Sequence, residues 1–142
     1  CLFVMVGALE AVGIIGAVAG YLGSSSSSLG ATAVTILWGS AAASAVVDNI
    51  PFTATMIPVI EQLGEARGYD AASLEPLWWS LSLGACLGGN ATLIGASANL
   101  VVAGMAEKAG LLITFGRFLL VGLPLSIVSI AISTGYVLFF LT

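Results

Sequence analysis

The sequence places one carboxylate deep within apolar residues. Asp48 follows the uncharged stretch Leu29–Val47 and is followed by Asn49, Ile50 and Pro51. A carboxylate at the centre of a bilayer costs at least about 2.5–3.5 kcal/mol, so it needs a partner or a purpose. Asp48 could cap a helix that begins just after it, or it could bind a cation or a proton. The two roles are compatible.

A second stretch of small and polar residues interrupts a later apolar segment. Within Ser80–Ala106, the residues from Gly88 to Asn99 read Gly-Gly-Asn-Ala-Thr-Leu-Ile-Gly-Ala-Ser-Ala-Asn. Glycines and small polar residues weaken a continuous helix, so this composition indicates a discontinuous transmembrane helix. The oxygen-bearing side chains of the two stretches would suit a hard cation such as Na⁺, and they belong to Asp48, Asn49, Thr53, Asn90, Thr92, Ser97 and Asn99.

The predicted Na⁺ ligands among these are Asp48, Asn49, Asn90 and Thr92. Each Ser, Thr or Asn taken singly is equally consistent with hydrogen bonding between packed helices. The clustering of these residues, more than any one of them, favours a site.

Composition assigns the chain to a membrane. Apolar residues make up 59% of the 142 residues and charged residues 7%, whereas a soluble domain has about 25% charged residues. Uncharged windows occur at Ala11–Val47, Ile50–Ile60, Pro76–Ala106 and Phe118–Thr142, and one crossing needs about 20 apolar residues. We therefore predict an all-α integral membrane protein with several passes.

The order of breaks and loops predicts how the segments cross. Pro51 should break the helix near Asn49–Pro51, and a break in hydrocarbon must be buried in protein or line a cavity. A re-entrant hairpin satisfies this requirement. A hydrophilic loop at Gly64–Glu75 precedes the broken helix, and the positive-inside bias assigns Lys108 and Arg117 to the cytoplasm. The predicted segments are a helix end and serine connector at 1–28, the hairpin at 29–66, the broken helix at 76–106 and a final helix at 116–141.

Two pairs of glycines have the spacing that allows close helix packing. Gly16 and Gly20 form one pair, and Gly84 and Gly88 form the other. Such pairs let two helix backbones approach each other. They carry no information about a substrate.

Several classes of function are excluded. The net charge of −4 lies mainly in short polar loops and no basic patch exists, so nucleic acid is not an expected partner. The chain has no His, and Cys1 and Cys86 lack metal-binding spacing. An intramembrane aspartyl protease would need a second membrane Asp, and a serine protease a His or Lys. We predict no enzyme and no cofactor beyond Na⁺ or H⁺ as coupling ion.

The two stretches, Ser44–Pro58 (SAVVDNIPFTATMIP) and Gly84–Asn99 (GACLGGNATLIGASAN), strongly resemble the ion transporter superfamily. The resemblance is nearest to ArsB/NhaD permeases and P protein-like members, which carry a citrate transporter-like domain. It implies two inverted repeats, each with a re-entrant hairpin and a broken helix, of which residues 1–142 would be the C-terminal one. The residues that match the hairpin tip are Asp48, Asn49, Pro51 and Thr53, and those that match the unwound stretch are Gly88, Gly89, Asn90, Thr92, Ser97 and Asn99.

The resemblance implies an ion-coupled secondary transporter. The substrate stays open among arsenite, Na⁺ exchanged for H⁺, a small organic anion and chloride, and a channel-like anion conductance on the same scaffold is the alternative. Citrate and dicarboxylate members carry Ser-Asn-Thr where this chain has Asp48-Asn49-Ile50-Pro51, which weakens the expectation of a carboxylate substrate. The implied partners are the N-terminal repeat, the lipid bilayer of a bacterial or archaeal plasma membrane, and a second copy in a homodimer.

Overall fold

The computed structural model describes residues 12–13, 20 and 28–141, and within these residues it contains helices and no strand. The all-helical fold is therefore confirmed for this part of the chain. Most of the predicted helix end and serine connector, including Gly16 of the Gly16–Gly20 pair, falls outside the described residues. The α-helices are α1 (Leu29–Ser44), α2 (Asn49–Arg67), α3 (Ala71–Gly88), α4 (Ser97–Lys108) and α5 (Phe115–Tyr136), which continues as a π-helical turn, Val137–Leu141.

The first break in the apolar segments lies before its predicted position, and the second is shorter than predicted. Asn49, Ile50 and Pro51 form the first turn of α2, so the first break lies at residues 45–48. Proline is tolerated there because the N–H groups of a first turn have no acceptor within the helix. The unwound stretch is likewise limited to residues 89–96, since Ser97 and Asn99 belong to the first turn of α4.

The connection between α2 and α3 is much shorter than the predicted loop at Gly64–Glu75. Gly68 ends α2 in a left-handed conformation (φ 66°), and Asp70 caps α3 by accepting a 3.0 Å hydrogen bond from the Ser73 N–H. The charged residues around this turn continue the two helices instead of forming a loop. Hydrogen bonds from Ser73 lower the pKa of the exposed Asp70 carboxyl.

Helices α1 and α3 pack side by side through the predicted glycine pair. A Cβ atom at Gly84 would lie closer than 3.0 Å to the Leu37 carbonyl oxygen, and one at Gly88 equally close to that of Ala41. The two contacts advance by one turn in the same direction along both helices, so α1 and α3 run parallel. Their C-terminal ends therefore lie at the same level.

Helix α5 runs antiparallel to α3. Near its start, Gly122 lies against the backbone of Asn90 and Ala91, and after its end Val137 joins the main apolar core. The loops at 68–70 and 109–114 consequently lie at opposite ends of the molecule. The buried members of this core are Ala33, Ile36, Val59, Ile60, Leu63, Leu77, Leu81 and Val137.

Among the described helices, Phe115–Leu141 is long and apolar enough to cross a membrane, and Leu29–Ser44 is a shorter apolar helix. Large apolar side chains are exposed along α5 and the π-helical turn that follows it, with Leu120 at 78% and Phe139 at 87%. Helix α4 has no buried residue and packs on no other described helix. Contiguous apolar surface of this kind suits contact with lipid or with the rest of a larger protein.

Candidate functional site

Four helix ends meet at one place. Helices α1 and α3 end there, at Ser44 and Gly88, and α2 and α4 begin there, at Asn49 and Ser97. The hydroxyl of Ser44 donates a buried hydrogen bond of 2.7 Å to the Ala85 carbonyl oxygen, which fixes one helix end to the other. We call residues 44–50 and 88–99 together the junction. It brings two positive helix starts and two negative helix ends close to each other.

Asp48 joins two helix starts through its two carboxylate oxygens. Its Oδ1 accepts a hydrogen bond of 3.3 Å from the N–H of Ile50 in α2. Its Oδ2 accepts a hydrogen bond of 3.1 Å from the N–H of Ser97 in α4, and the Ser97 hydroxyl donates to the same oxygen. Asp48 therefore caps α2 and at the same time connects α2 to the start of α4.

Helix α4 depends on Asp48 because it has no cap of its own. The residue before it, Ala96, makes no side-chain hydrogen bond to the helix. The other described helices each begin with a capping side chain from the adjacent residue, namely Ser28, Asp48, Asp70 and Thr114. A residue 49 positions earlier in the chain therefore supplies the cap of α4.

Thr92 fastens the unwound stretch to the end of α1. Its hydroxyl donates to the Ala45 carbonyl oxygen and accepts a hydrogen bond of 3.0 Å from the Gly95 N–H. Asn99 reaches back from α4, and its Nδ2 donates to the carbonyl oxygens of Gly89 at 3.0 Å and Thr92 at 3.1 Å. These bonds satisfy polar backbone groups that an interrupted helix would otherwise leave without partners.

Glycines bring the backbones of the junction into contact. A Cβ atom at Gly89 would lie 3.0 Å from the Gly95 carbonyl oxygen, and one at Gly95 would lie 2.9 Å from the Ser44 carbonyl oxygen. Gly88 approaches Ala41 in the same way. The glycines of the stretch therefore act by packing backbone against backbone.

Asn49 and Asn90 belong to the junction but line separate cavities. Asn49 and Thr53 line a shallow cavity of about 380 Å³ on α2, and the Pro51 carbonyl accepts a 3.0 Å hydrogen bond from Thr55. Asn90 lines a larger cavity of about 860 Å³ between the loop 109–114 and α5, together with Arg117. Among the described residues, the four predicted Na⁺ ligands are not joined in one hydrogen-bonded cluster.

Sequence reasoning missed three residues of the junction. Ser44 and Ala45 contribute a hydroxyl and a carbonyl oxygen, and Gly95 contributes an N–H and a close backbone approach. Ser44 ends α1 and Ala45 begins the break, and the last carbonyl groups of a helix lack partners within that helix. The need for such partners could have identified these two residues.

Helix α5 covers one side of the junction. A Cβ atom at Gly122 would lie 2.6 Å from the Asn90 carbonyl oxygen and 3.0 Å from that of Ala91. Further along α5, Thr134 accepts a hydrogen bond of 3.1 Å from the Trp38 indole. Any outward movement of α5 therefore disturbs both the unwound stretch and α1.

Interrupted helices that meet at one point are a recurring arrangement in secondary transporters. Comparison with known proteins independently finds a transporter family. A family model described as citrate transporter matches residues 1–84. The chain belongs to this citrate transporter family.

Several relatives carry transporter or membrane-protein names. The P protein of Mus musculus is 51% identical over 108 residues, which are 76% of this chain and 13% of that protein. An uncharacterized transporter of Mycobacterium tuberculosis is 43% identical over 136 residues, 95% of this chain and 32% of the relative. A 46 kDa membrane protein of Mycobacterium leprae is 38% identical over the same share of both chains. No solved structure matches the chain significantly.

The chain spans about a third of the length of its mycobacterial relatives and 13% of that of the P protein. The matched family and the uncharacterized mycobacterial relatives are described as transporters rather than as enzymes, and membership of this family implies an integral membrane protein.

Proposed function

We propose that the chain carries the ion-binding junction of a secondary active carrier, which moves a small inorganic ion or organic anion with Na⁺ or H⁺ coupling. The observation that supports this most strongly is the contact of Asp48 with both Ile50 and Ser97. A single carboxylate thereby connects the tip of one interrupted segment to the restart of the other. A cation that binds Asp48 acts on both segments at once.

Helix lengths support a position of the junction near the middle of a bilayer. The uncharged residues 49–60 of α2 span about 18 Å, and residues 76–88 of α3 span about 20 Å, at 1.5 Å per residue. The hydrocarbon core is about 30 Å thick. We therefore propose that α1 and α2 form a re-entrant hairpin and that α3 and α4 are the two halves of one broken spanning helix.

The charge of Asp48 supports cation binding at this depth. Within residues 28–141, its partners are the hydrogen-bond donors of Ile50 and Ser97, and no Lys or Arg forms an ion pair with it. A proton would neutralise the carboxylate, and Na⁺ would compensate its charge. Nearby carbonyl and hydroxyl oxygens, at Ala45, Gly89 and Thr92, are the ligand type that hard cations prefer.

The rest of the carrier lies outside this chain. The mycobacterial relatives are about three times as long, and the exposed apolar surface of α4 needs a cover. We propose that an N-terminal repeat with inverted topology supplies it, that the carrier works in a bacterial or archaeal plasma membrane, and that it pairs as a homodimer.

The test uses the full-length parent protein in proteoliposomes that contain a pH-sensitive dye. Addition of Na⁺ outside should move protons in the wild type, and Asp48→Asn should abolish the response. Asp70→Asn is the matched control, because Asp70 also caps a helix but lies in an exposed turn. Coupling that survives Asp48→Asn intact would rule out this role of Asp48.

A flat wild-type trace would instead favour an anion or arsenite permease. Currents of single-channel size in the same membranes would show that the protein is a channel-like conductance and not a carrier.

A further inference from the structure

We infer that Asp48 determines the charge selectivity of the junction: its carboxylate occupies the donors at the starts of α2 and α4, so the junction accepts a cation and rejects an anion. A neutral residue at position 48 would leave those donors to an anionic group such as a carboxylate. The inference rests on the proposed function and adds to it the substrate class.

The hydrogen-bond donors at the two helix starts are already occupied. An anion at this point would bind through the Ile50 N–H, the Ser97 N–H and the Ser97 hydroxyl, which are the groups that converge between the two helix starts. All three donate to Asp48. An external anion therefore has to displace a carboxylate that is covalently held in place, and it brings a second negative charge next to the first.

The basic side chains lie away from Asp48. The chain has three basic residues. Arg67 ends α2 and Lys108 ends α4, which places them about 27 Å and 17 Å along their helices from the junction at 1.5 Å per residue. Arg117 faces the cavity that it shares with Asn90. In the described part of the chain, no basic side chain forms an ion pair with Asp48, so its negative charge remains available to a cation.

The Asp48 side chain both carries the negative charge and occupies the donors. Asp48→Ser removes the charge and withdraws the oxygens from Ser97, so the donors of α4 become free. Asp48→Asn removes the charge and retains an oxygen that can still accept from Ser97. Serine should therefore create a stronger anion site than asparagine.

The experiment measures binding without transport, by the thermal unfolding midpoint of the full-length parent in detergent. Citrate is the anionic probe, and Na⁺ titrations at two pH values are the cationic probe, all at constant ionic strength. The unfolding midpoint of the wild type should rise with Na⁺ or, if the proton is the bound cation, should depend on pH because Asp48 takes up the proton. It should not change with citrate. Asp48→Ser should lose the cation response and bind citrate at least tenfold more tightly than wild type.

Asp70→Ser is the control, since it removes a capping carboxylate in an exposed turn, and it should behave like wild type toward both probes. Citrate binding by wild type that equals that of Asp48→Ser would overturn the inference. So would an Asp48→Ser protein that gains no affinity for citrate. If Asp48→Ser does not fold, the citrate affinity of Asp48→Asn is compared with that of the wild type instead, and a smaller gain in affinity is expected.

The outcome is separable from that of the proposed function. A wild type that fails to couple ion movements in proteoliposomes refutes the proposed carrier. The charge preference of the junction is determined separately, from the shifts of the unfolding midpoint with Na⁺, pH and citrate.

Discussion

Replacement of Gly88 by alanine should separate α1 from α3. The added Cβ atom would lie closer than 3.0 Å to the carbonyl oxygen of Ala41, whereas carbon–oxygen contacts ordinarily lie at about 3.3–3.6 Å. The helices must therefore move apart by about 1 Å, against the hydrogen bond of Ser44 to Ala85. Overpacking of this kind costs about 1–3 kcal/mol.

Thermal unfolding of the full-length parent in detergent measures this cost. Gly39→Ala is the matched control, because Gly39 lies on α1 with no atom within 4 Å of its added Cβ. Alanine in the middle of that helix should stabilise the protein by up to about 1 kcal/mol through helix propensity. If Gly88→Ala is as stable as Gly39→Ala, the close parallel packing of α1 on α3 is refuted.

Three further predictions concern the junction and the α2–α3 turn. Thr92→Val should remove two hydrogen bonds, destabilise the protein by about 1–3 kcal/mol and slow transport. Thr92→Ser keeps the hydroxyl and should retain both the stability and the transport rate. Equal losses in the two variants would contradict the role of the hydroxyl. Gly122→Ala should slow transport at least tenfold, because its Cβ atom would lie 2.6 Å from the Asn90 carbonyl oxygen. Gly135→Ala on the same helix has open space around its Cβ atom and should leave the transport rate unchanged. Because folding lowers the pKa of Asp70, its stabilising contribution is complete above the unfolded-state pKa of about 3.9 and is lost as the pH falls through the folded-state value. Asp70→Asn should flatten that acid-side decline in unfolding midpoint, and an unchanged pH profile would exclude the contribution.

The local features of the junction were predictable from the sequence. A carboxylate, a proline and a run of small residues each have a local structural consequence, so they located both interruptions to within a few residues. The Gly84–Gly88 spacing likewise predicted a close helix contact, and α3 makes that contact with α1.

The partners across the chain were not predictable. Ser97 lies 49 positions from Asp48 and Thr92 lies 47 positions from Ala45, and no periodicity encodes such distant pairs. The turn at 68–70 was also missed, because Glu65 and Arg67 were assigned to a loop by their charge. Both residues have good helix propensity, and a helix continues into water when its own hydrogen bonds are intact.

The contact between Asp48 and Ser97 is the centre of this account, and a double-mutant cycle tests it most directly. The free energy of unfolding in detergent would be measured for the full-length wild type, Asp48→Asn, Ser97→Ala and the double variant. If the two residues act as one unit, the double variant is no less stable than the less stable single variant, because the second change removes nothing further. Losses of stability that add, as for independent sites, would contradict a junction in which Asp48 links the two interrupted segments.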